Sequence, residues 1–317
     1  MRKVHDNLYR SARPGYDEER NDRSTVDRFI AGLKERGIAS IITMLDQHQL
    51  AGYDLPRSMG LIEYYRRAGF RVVHRPVRDH ATPPVPQATL ELILSDYLDC
   101  PKPVLIHCSA GCSRTGAVIR FLERCGADAF YRQVIELATD CATVRPLAHF
   151  RQVATLALQL YDLLQAKHGL PAAWRATLWM GAMLHDIGTV YPETPNHACT
   201  SGRMIADRHF QSPPQVEPFN AATIAGLHGI SPDPAYPLGP MNGPFNNDGT
   251  GSICRDLQVL VAILRVADGF DRDLSQAVQG LRLSRNVISC VPHKDPNTAS
   301  AKHKQALLQQ LLQVRVE

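Results

Sequence analysis

Residues 101–126 read PKPVLIHCSAGCSRTGAVIRFLERCG. An apolar run ends at His107, a short segment rich in small residues follows, and a second apolar stretch with helical spacing begins near Ala117. This predicts a buried strand, a tight turn and a helix, with Cys108 placed under the helix's positive end. A thiol becomes a useful nucleophile at neutral pH only when its thiolate is stabilised, and a helix N-terminus does that. The turn Ser109, Ala110, Gly111, Cys112, Ser113 can curl its backbone N–H groups inward as an anion nest. Gly111 and Gly116 are expected to supply the backbone angles it needs. Arg114, six residues after Cys108, can hold two phosphoryl oxygens with its planar fork. Thr115 can hydrogen-bond the sulfur or assist its departure. These residues in this order suit in-line attack on a phosphate monoester through a phosphocysteine.

Upstream the pattern alternates. TVDRFIAGLKERG (25–37) predicts a helix, IASIITML (38–45) a buried strand, PRSMGLIEYYRRAG (56–69) a helix and FRVVHRPV (70–77) a strand. TLELILSDYLDC (89–100) predicts a further helix, so the expectation is a central, mostly parallel sheet flanked by helices. Around CATVRPLA (141–148) the pattern changes to helical periods, with a short hairpin expected in 278–292 and a last helix in 302–317. At 317 residues two domains fit, an α/β domain over 1–146 and a mainly α-helical one over 147–317. The stretch SPDPAYPLGPMNGPFNNDGTG (231–251), dense in Pro, Gly and Asn, reads as a long functional loop of lid type.

Composition narrows the class. No apolar run reaches the length of a membrane span, and MRKVHDNLYRSARP lacks the apolar core of a secretory signal. A cytoplasmic setting with reduced thiols is therefore expected, and the eight cysteines are not read as a disulfide framework. A net charge of +4 without a long basic run does not indicate a nucleic-acid polymer as partner. A phosphorylated small molecule or phosphoprotein suffices.

HCSAGCSRTG resembles the HC-x5-R-[ST]-G loop of protein-tyrosine and dual-specificity phosphatases, matching it at cysteine, arginine, hydroxyl and closing glycine. The resemblance implies a general acid on a loop about thirty residues upstream, and RPVRDHATPP offers Asp79, 29 positions before Cys108. His80 is a neighbour rather than an actor. The stretch NLYRSARP is similar to the N-terminal loop of small members of this class. Arg10 is then either a substrate contact or an exposed arginine. Cys112 is either a reversible disulfide partner that protects Cys108 or a small residue pointing away.

In the second half, His149, the pair His185–Asp186 and the distant Asp268 follow in order on predicted helices. If those helices converge, they offer a divalent cation mixed nitrogen and oxygen donors. Residues 147–290 resemble the HD superfamily of metal-dependent phosphohydrolases, in particular the C-terminal HD domain of exopolyphosphatase and guanosine-pentaphosphate phosphohydrolases. The resemblance implies a bound Mn, Fe or Mg ion, while the cysteine site needs no cofactor. His197 and His228 match positions of a second metal site in some HD enzymes, and are either ligands or ordinary solvated or core histidines. Thr189 stands where a lysine is common. Two functional readings follow: two phosphohydrolase sites on one chain, or an active cysteine phosphatase with a non-catalytic, ligand-sensing HD domain. A binding-only pseudo-enzyme is disfavoured, since binding alone does not need Asp79.

Overall fold

In the computed structural model every residue is described except 19, 57–58, 195, 230–252 and 293–294. The Pro/Gly/Asn-rich stretch expected to form a lid lies outside the described residues. Packing divides the chain into two compact units, Met1–Asp128 and Ala129–Glu317.

The first unit holds a five-stranded sheet in the order β1 (Arg2–His5), β2 (Leu8–Ser11), β5 (Val104–His107), β3 (Ser40–Thr43), β4 (Arg71–His74). β1 is antiparallel to β2 and the other pairs are parallel. The sheet is thus mixed and mostly parallel, as the alternation predicts. Strands β3 and β5 are buried along their whole length, which is why both read as unbroken apolar runs. Helix α1 (Arg23–Glu35) starts where the Asp22 carboxylate accepts the Thr25 N–H at 2.8 Å. It buries Val26, Ile30 and Leu33, spaced one turn apart, in a cluster with Ile41, Leu61, Tyr65 and Leu105. Short helices α2 (Gln47–Ala51) and α3 (Leu61–Arg67) follow β3, α4 (Gln87–Asp99) precedes β5, and α5 (Ser113–Arg124) follows it. Ser11, Thr43, His74 and His107 end their strands in register, so the loops leaving β2, β3, β4 and β5 gather at one edge of the sheet. That carboxyl edge is where open parallel sheets bind ligands.

Two expectations shift. NLYRSARP is not all loop: Leu8–Ser11 forms β2, and the loop begins at Ala12. Helix α3 covers only the second half of the expected 56–69 segment.

In the second unit, α6 (Ala127–Asp140), α7 (Leu147–Leu163), α8 (Gln165–His168), α9 (Trp174–Met183), α10 (His197–Ala206), α11 (Pro218–Leu227) and α12 (Arg255–Gly269) precede the hairpin β6 (Val278–Ser284) and β7 (Val287–Pro292). Helix α12 is buried from Val259 to Gly269 on every side, which marks it as central, and it packs on α7, α9 and α11. The unit division falls before the change of pattern at 141–148. Phe130 and Tyr131 of α6 set their rings against Trp179 of α9, so that change marks the turn between α6 and α7. The expected last helix is α13 (Ala299–Lys304) and α14 (Ala306–Leu312), after which Arg315–Val316 forms β8 alongside β7. No described helix is long and apolar enough to cross a membrane.

Candidate functional sites

Strand β5 delivers Cys108 at the carboxyl edge, buried to 2 % exposure, and α5 begins five residues later. Gly111 adopts φ +67° and lies against the chain leaving β2, where a Cβ would come within 2.4 Å of the Ser11 backbone. Gly116 sits inside α5 and needs no left-handed angle, so the expected conformational role falls to Gly111 alone. Two hydrogen bonds fasten the loop's carbonyls outward. The Arg13 N–H donates to Ser109 O at 2.8 Å, and Arg10 Nη2 donates to Gly111 O at 2.6 Å. Arg10 therefore braces the loop. Cys112 is exposed, its thiol directed to Ala110 O, and both Cys108 and Cys112 are free thiols.

Arg114 and Thr115 occupy the first turn of α5, both buried, with Thr115 Oγ1 lacking any hydrogen-bond partner. Arg114 Nη1 donates to Val77 O (2.7 Å), Met44 O (3.1 Å) and Gln49 Oε1 (3.2 Å). Its Nη2 meets Asp79 Oδ2 at 2.8 Å as an ion pair, and its buried Nε is without a hydrogen bond. Asp79, about one-third exposed, also accepts from Gln49 Nε2 at 2.7 Å and from the His80 N–H at 3.0 Å. Gln49 thus joins Asp79 to Arg114, a role that nothing in its local sequence signals. His107 is fully buried, and burial pushes its pKa down to about 4. A cavity of about 290 Å³ is walled by Ser11, Arg13, Tyr16, Arg28 and Phe29 around the loop that braces Ser109.

In the second unit, six predicted side chains converge. His149 lies in the first turn of α7, His197 opens α10, His228 directly follows α11 and Asp268 is in the last turn of α12. His185 and Asp186 are not on a helix: α9 stops at Met183 and the pair occupies the turn that follows, before the 3-10 turn Ile187–Val190. Thr189 closes this turn, donating its hydroxyl to Asp186 O at 2.7 Å. Gly188 lets α10 approach, because a Cβ there would stand 2.2 Å from His197 O.

Asp186 is the hub. Its Oδ2 lies 3.6 Å from both His149 Nε2 and His185 Nε2, and its Oδ1 lies 3.2 Å from His197 Nε2 and 3.1 Å from His228 Nε2. Asp268 Oδ1 stands 3.5 Å from His149 Nε2 and 3.7 Å from His185 Nε2. The far side of each of three rings is fixed: His149 Nδ1 on Asp271 Oδ2 (2.9 Å), His185 Nδ1 on Ala182 O (2.7 Å), His228 Nδ1 on Ala225 O (2.7 Å). A ring held this way turns Nε2 and its lone pair inward. Arg265, 1 % exposed, donates from Nε and Nη2 to Leu227 O and so steadies the residue before His228.

The buried carboxylates and imidazoles set one another's charge. Burial alone raises the carboxyl pKa values, yet the surrounding imidazoles hold Asp186, and with Lys304 also Asp268, far below the usual range. Burial pulls His149 down, but Asp186, Asp268 and Asp271 outweigh it and lift it to about 10, whereas for His228 burial wins and its pKa falls. The Nε2 atoms of His149, His185 and His197, both oxygens of Asp186 and Oδ1 of Asp268 make no hydrogen bond despite their burial. Ligand atoms of His149, His185 and Asp186, of His185, His228 and Asp268, and of Asp186, His197 and His228 each gather within 4.8 Å. Buried donor atoms left unpaired and mutually close are what a divalent cation would satisfy.

A buried cysteine and an arginine on a strand–loop–helix, at the carboxyl edge of a mostly parallel sheet, define the first unit as phosphatase-like. Residues 15–127 match the family described as polymorphic toxin system, DSP-PTPase phosphatase. No curated protein matches the chain.

Proposed function

We propose that the chain hydrolyses phosphate monoesters through a phosphocysteine at Cys108. The observation that supports this most is the meeting of Arg114 with Asp79 at 2.8 Å beside the Cys108 loop, since the two residues stand 35 positions apart in the chain. The phosphoryl oxygens take up the loop N–H groups and the Arg114 fork, displacing the Asp79 carboxylate from the guanidinium, and the freed carboxylate takes up a proton from water. Cys108 Sγ then attacks phosphorus, the bond from phosphorus to the ester oxygen breaks, and that oxygen takes its proton from Asp79. In the second step water attacks phosphorus, Asp79 receives the water's proton, the S–P bond breaks and inorganic phosphate leaves. Thr115 Oγ1, buried and without a partner, is available to the departing thiolate. Cys108→Ser is expected to abolish chelator-resistant hydrolysis of p-nitrophenyl phosphate. Near-wild-type activity in that variant refutes the mechanism.

The second unit is proposed to hold one or two divalent cations such as Mn, Fe or Mg on His149, His185, Asp186 and Asp268, with His197 and His228 joining through the other oxygen of Asp186. Imidazole and carboxylate donors without thiolates suit such ions rather than a closed structural zinc cage. When bound, the cation supplies Lewis-acid polarisation of a phosphoryl oxygen and a lowered pKa for water. The chain's own part is to orient the rings through Asp271, Ala182 O and Ala225 O. Elemental analysis of protein purified without chelator tests this reading, and absence of stoichiometric metal overturns it.

A further inference from the structure

The ligands of the His/Asp centre are almost sealed off. His149, His185, Asp186, His228 and Asp268 each expose 2 % or less. Among the described residues that touch the centre's two carboxylates Asp186 and Asp268, three side chains keep contact with solvent: His197 at 34 %, Arg145 at 19 % and Lys304 at 18 %. Two of these are cations that no metal would recruit as ligands. Arg145, just ahead of α7, brings Nε to 3.5 Å from Asp186 Oδ2, and Lys304, at the end of α13, places Nζ on Asp268 Oδ2. Lys304 leaves Asp268 Oδ1 unbonded, and Arg145 makes no hydrogen bond among the described residues. A guanidinium has five donors in a fixed fork, so this one is brought to the centre with its hydrogen-bonding capacity unspent.

A purely neutralising role does not account for both. With the imidazoles neutral, as ligation of a cation requires, Asp186, Asp268 and, behind His149, Asp271 are three carboxylates facing two fixed cations, a deficit of one positive charge. A single divalent ion already overcorrects that deficit, and a second adds to the excess. With a cation in place, Arg145 and Lys304 are surplus positive charge at the exposed rim of a buried centre, and only an incoming anion balances them.

We propose that Arg145 and Lys304 are the anion-binding arms of the His/Asp centre, and that the group they take is a phosphoryl group with a free terminus, as in a phosphate monoester or the end of a polyphosphate. A free terminus carries enough charge and enough oxygens to meet a guanidinium on the Asp186 side and an ammonium on the Asp268 side together. A phosphodiester, with one charge and two free oxygens, is the poorer fit. The inference rests on the cation reading given above.

The test uses the full chain loaded with Mn²⁺, with inorganic phosphate as the probe and dimethyl phosphate as its diester control. Broadening of the phosphate ³¹P resonance by bound Mn²⁺ reports phosphate close to the metal, and making every comparison in an Arg114→Gln background removes any contribution from phosphate held at the Cys108 loop. Mn²⁺ occupancy is read separately by electron paramagnetic resonance. Arg145→Gln and Lys304→Gln are each expected to weaken phosphate about tenfold and the double variant about a hundredfold, as for the loss of one charge-assisted hydrogen bond each. Mn²⁺ affinity should stay the same or tighten, because a competitor for the carboxylates has gone. Arg145→Lys, which keeps the charge and perturbs folding least, should retain phosphate within a few-fold, and wild type should prefer phosphate to dimethyl phosphate. Unchanged phosphate binding in a variant that holds Mn²⁺ overturns the inference alone, as does equal binding of the diester. Parallel loss of Mn²⁺ and phosphate also overturns it, making the two residues supports of the ligands. A wild-type chain that binds no Mn²⁺ overturns the cation reading and this inference with it.

Discussion

Replacing Gly111 by alanine separates two costs that the first unit allows to be measured one at a time. Gly111 and Gly37 have nearly the same left-handed backbone, φ +67° and +65°, but a Cβ on Gly37 meets nothing within 4 Å. Gly37→Ala therefore bears the left-handed strain alone, about 1–2 kcal/mol. Gly111→Ala bears the same strain and drives its Cβ to 2.4 Å from Ser11 C and O and 2.6 Å from Ala12 N, main-chain atoms that cannot swing aside. Relief means lifting the loop off β2, at the expense of Arg13 N–H to Ser109 O and Arg10 to Gly111 O, about 1–2 kcal/mol each. The difference between the variants is then about 2–4 kcal/mol, which for a unit of this size is roughly 8–15 °C in Tm. The assay is differential scanning calorimetry of the full chain together with chelator-resistant p-nitrophenyl phosphate hydrolysis. A loop displaced by about an ångström should also lose at least about a hundredfold in kcat/KM, while Gly37→Ala keeps wild-type activity. Equal Tm losses, or an active Gly111→Ala, would show that the brace between β2 and the cysteine loop does not set the geometry.

Other outcomes follow from the same contacts. Asp79→Asn should lower kcat for alkyl phosphates by about 100- to 10,000-fold and for aryl phosphates much less, because good leaving groups need little protonation; equal losses in steady-state kinetics would point to another acid. Burial lowers the folded pKa of His107 to about 4 from the ordinary 6.5, so the unfolded chain protonates first as the medium is acidified. The stability from keeping this ring neutral is complete above pH 6.5 and lost on descending to 4, about 3 kcal/mol in all, and urea melts of wild type and His107→Gln should differ in slope only over that window. Replacing both His185 and Asp186 by alanine should remove the metal and any chelator-sensitive hydrolysis, yet leave the chelator-resistant reaction intact; metal analysis that finds the ion retained would reject these ligands.

The cysteine loop was legible because its parts are consecutive: a strand, a nest and a helix N-terminus need only Val104 to Gly116. The ordered His/Asp set is legible for a related reason, each of its residues lying near the end of a strongly periodic segment. What escaped was made by the fold. Gln49 meets Arg114 across 65 positions and Lys304 meets Asp268 across 36, and neither position carries a local pattern. Asp271 looks like any acid after a helix until Gln276 and His149 are seen to close on it. β1 and β2 are no shorter than β3 and β5, but β3 and β5 are buried throughout and lie in apolar runs, whereas β1, β2 and β8 are only partly buried and carry polar residues that break any run. Motif spacing does not say which glycine turns the chain, and of Gly111 and Gly116 it is Gly111 that takes the left-handed angle.

The most direct measurement of the central claim is acid-quenched mass spectrometry of the full chain during turnover of p-nitrophenyl phosphate in excess chelator. A phosphocysteine intermediate predicts one added phosphoryl group (HPO₃) on the peptide that contains Cys108, absent from Cys108→Ser and accumulating when Asp79→Asn slows its hydrolysis. Sustained chelator-resistant turnover with no phosphoryl group on that peptide would contradict it.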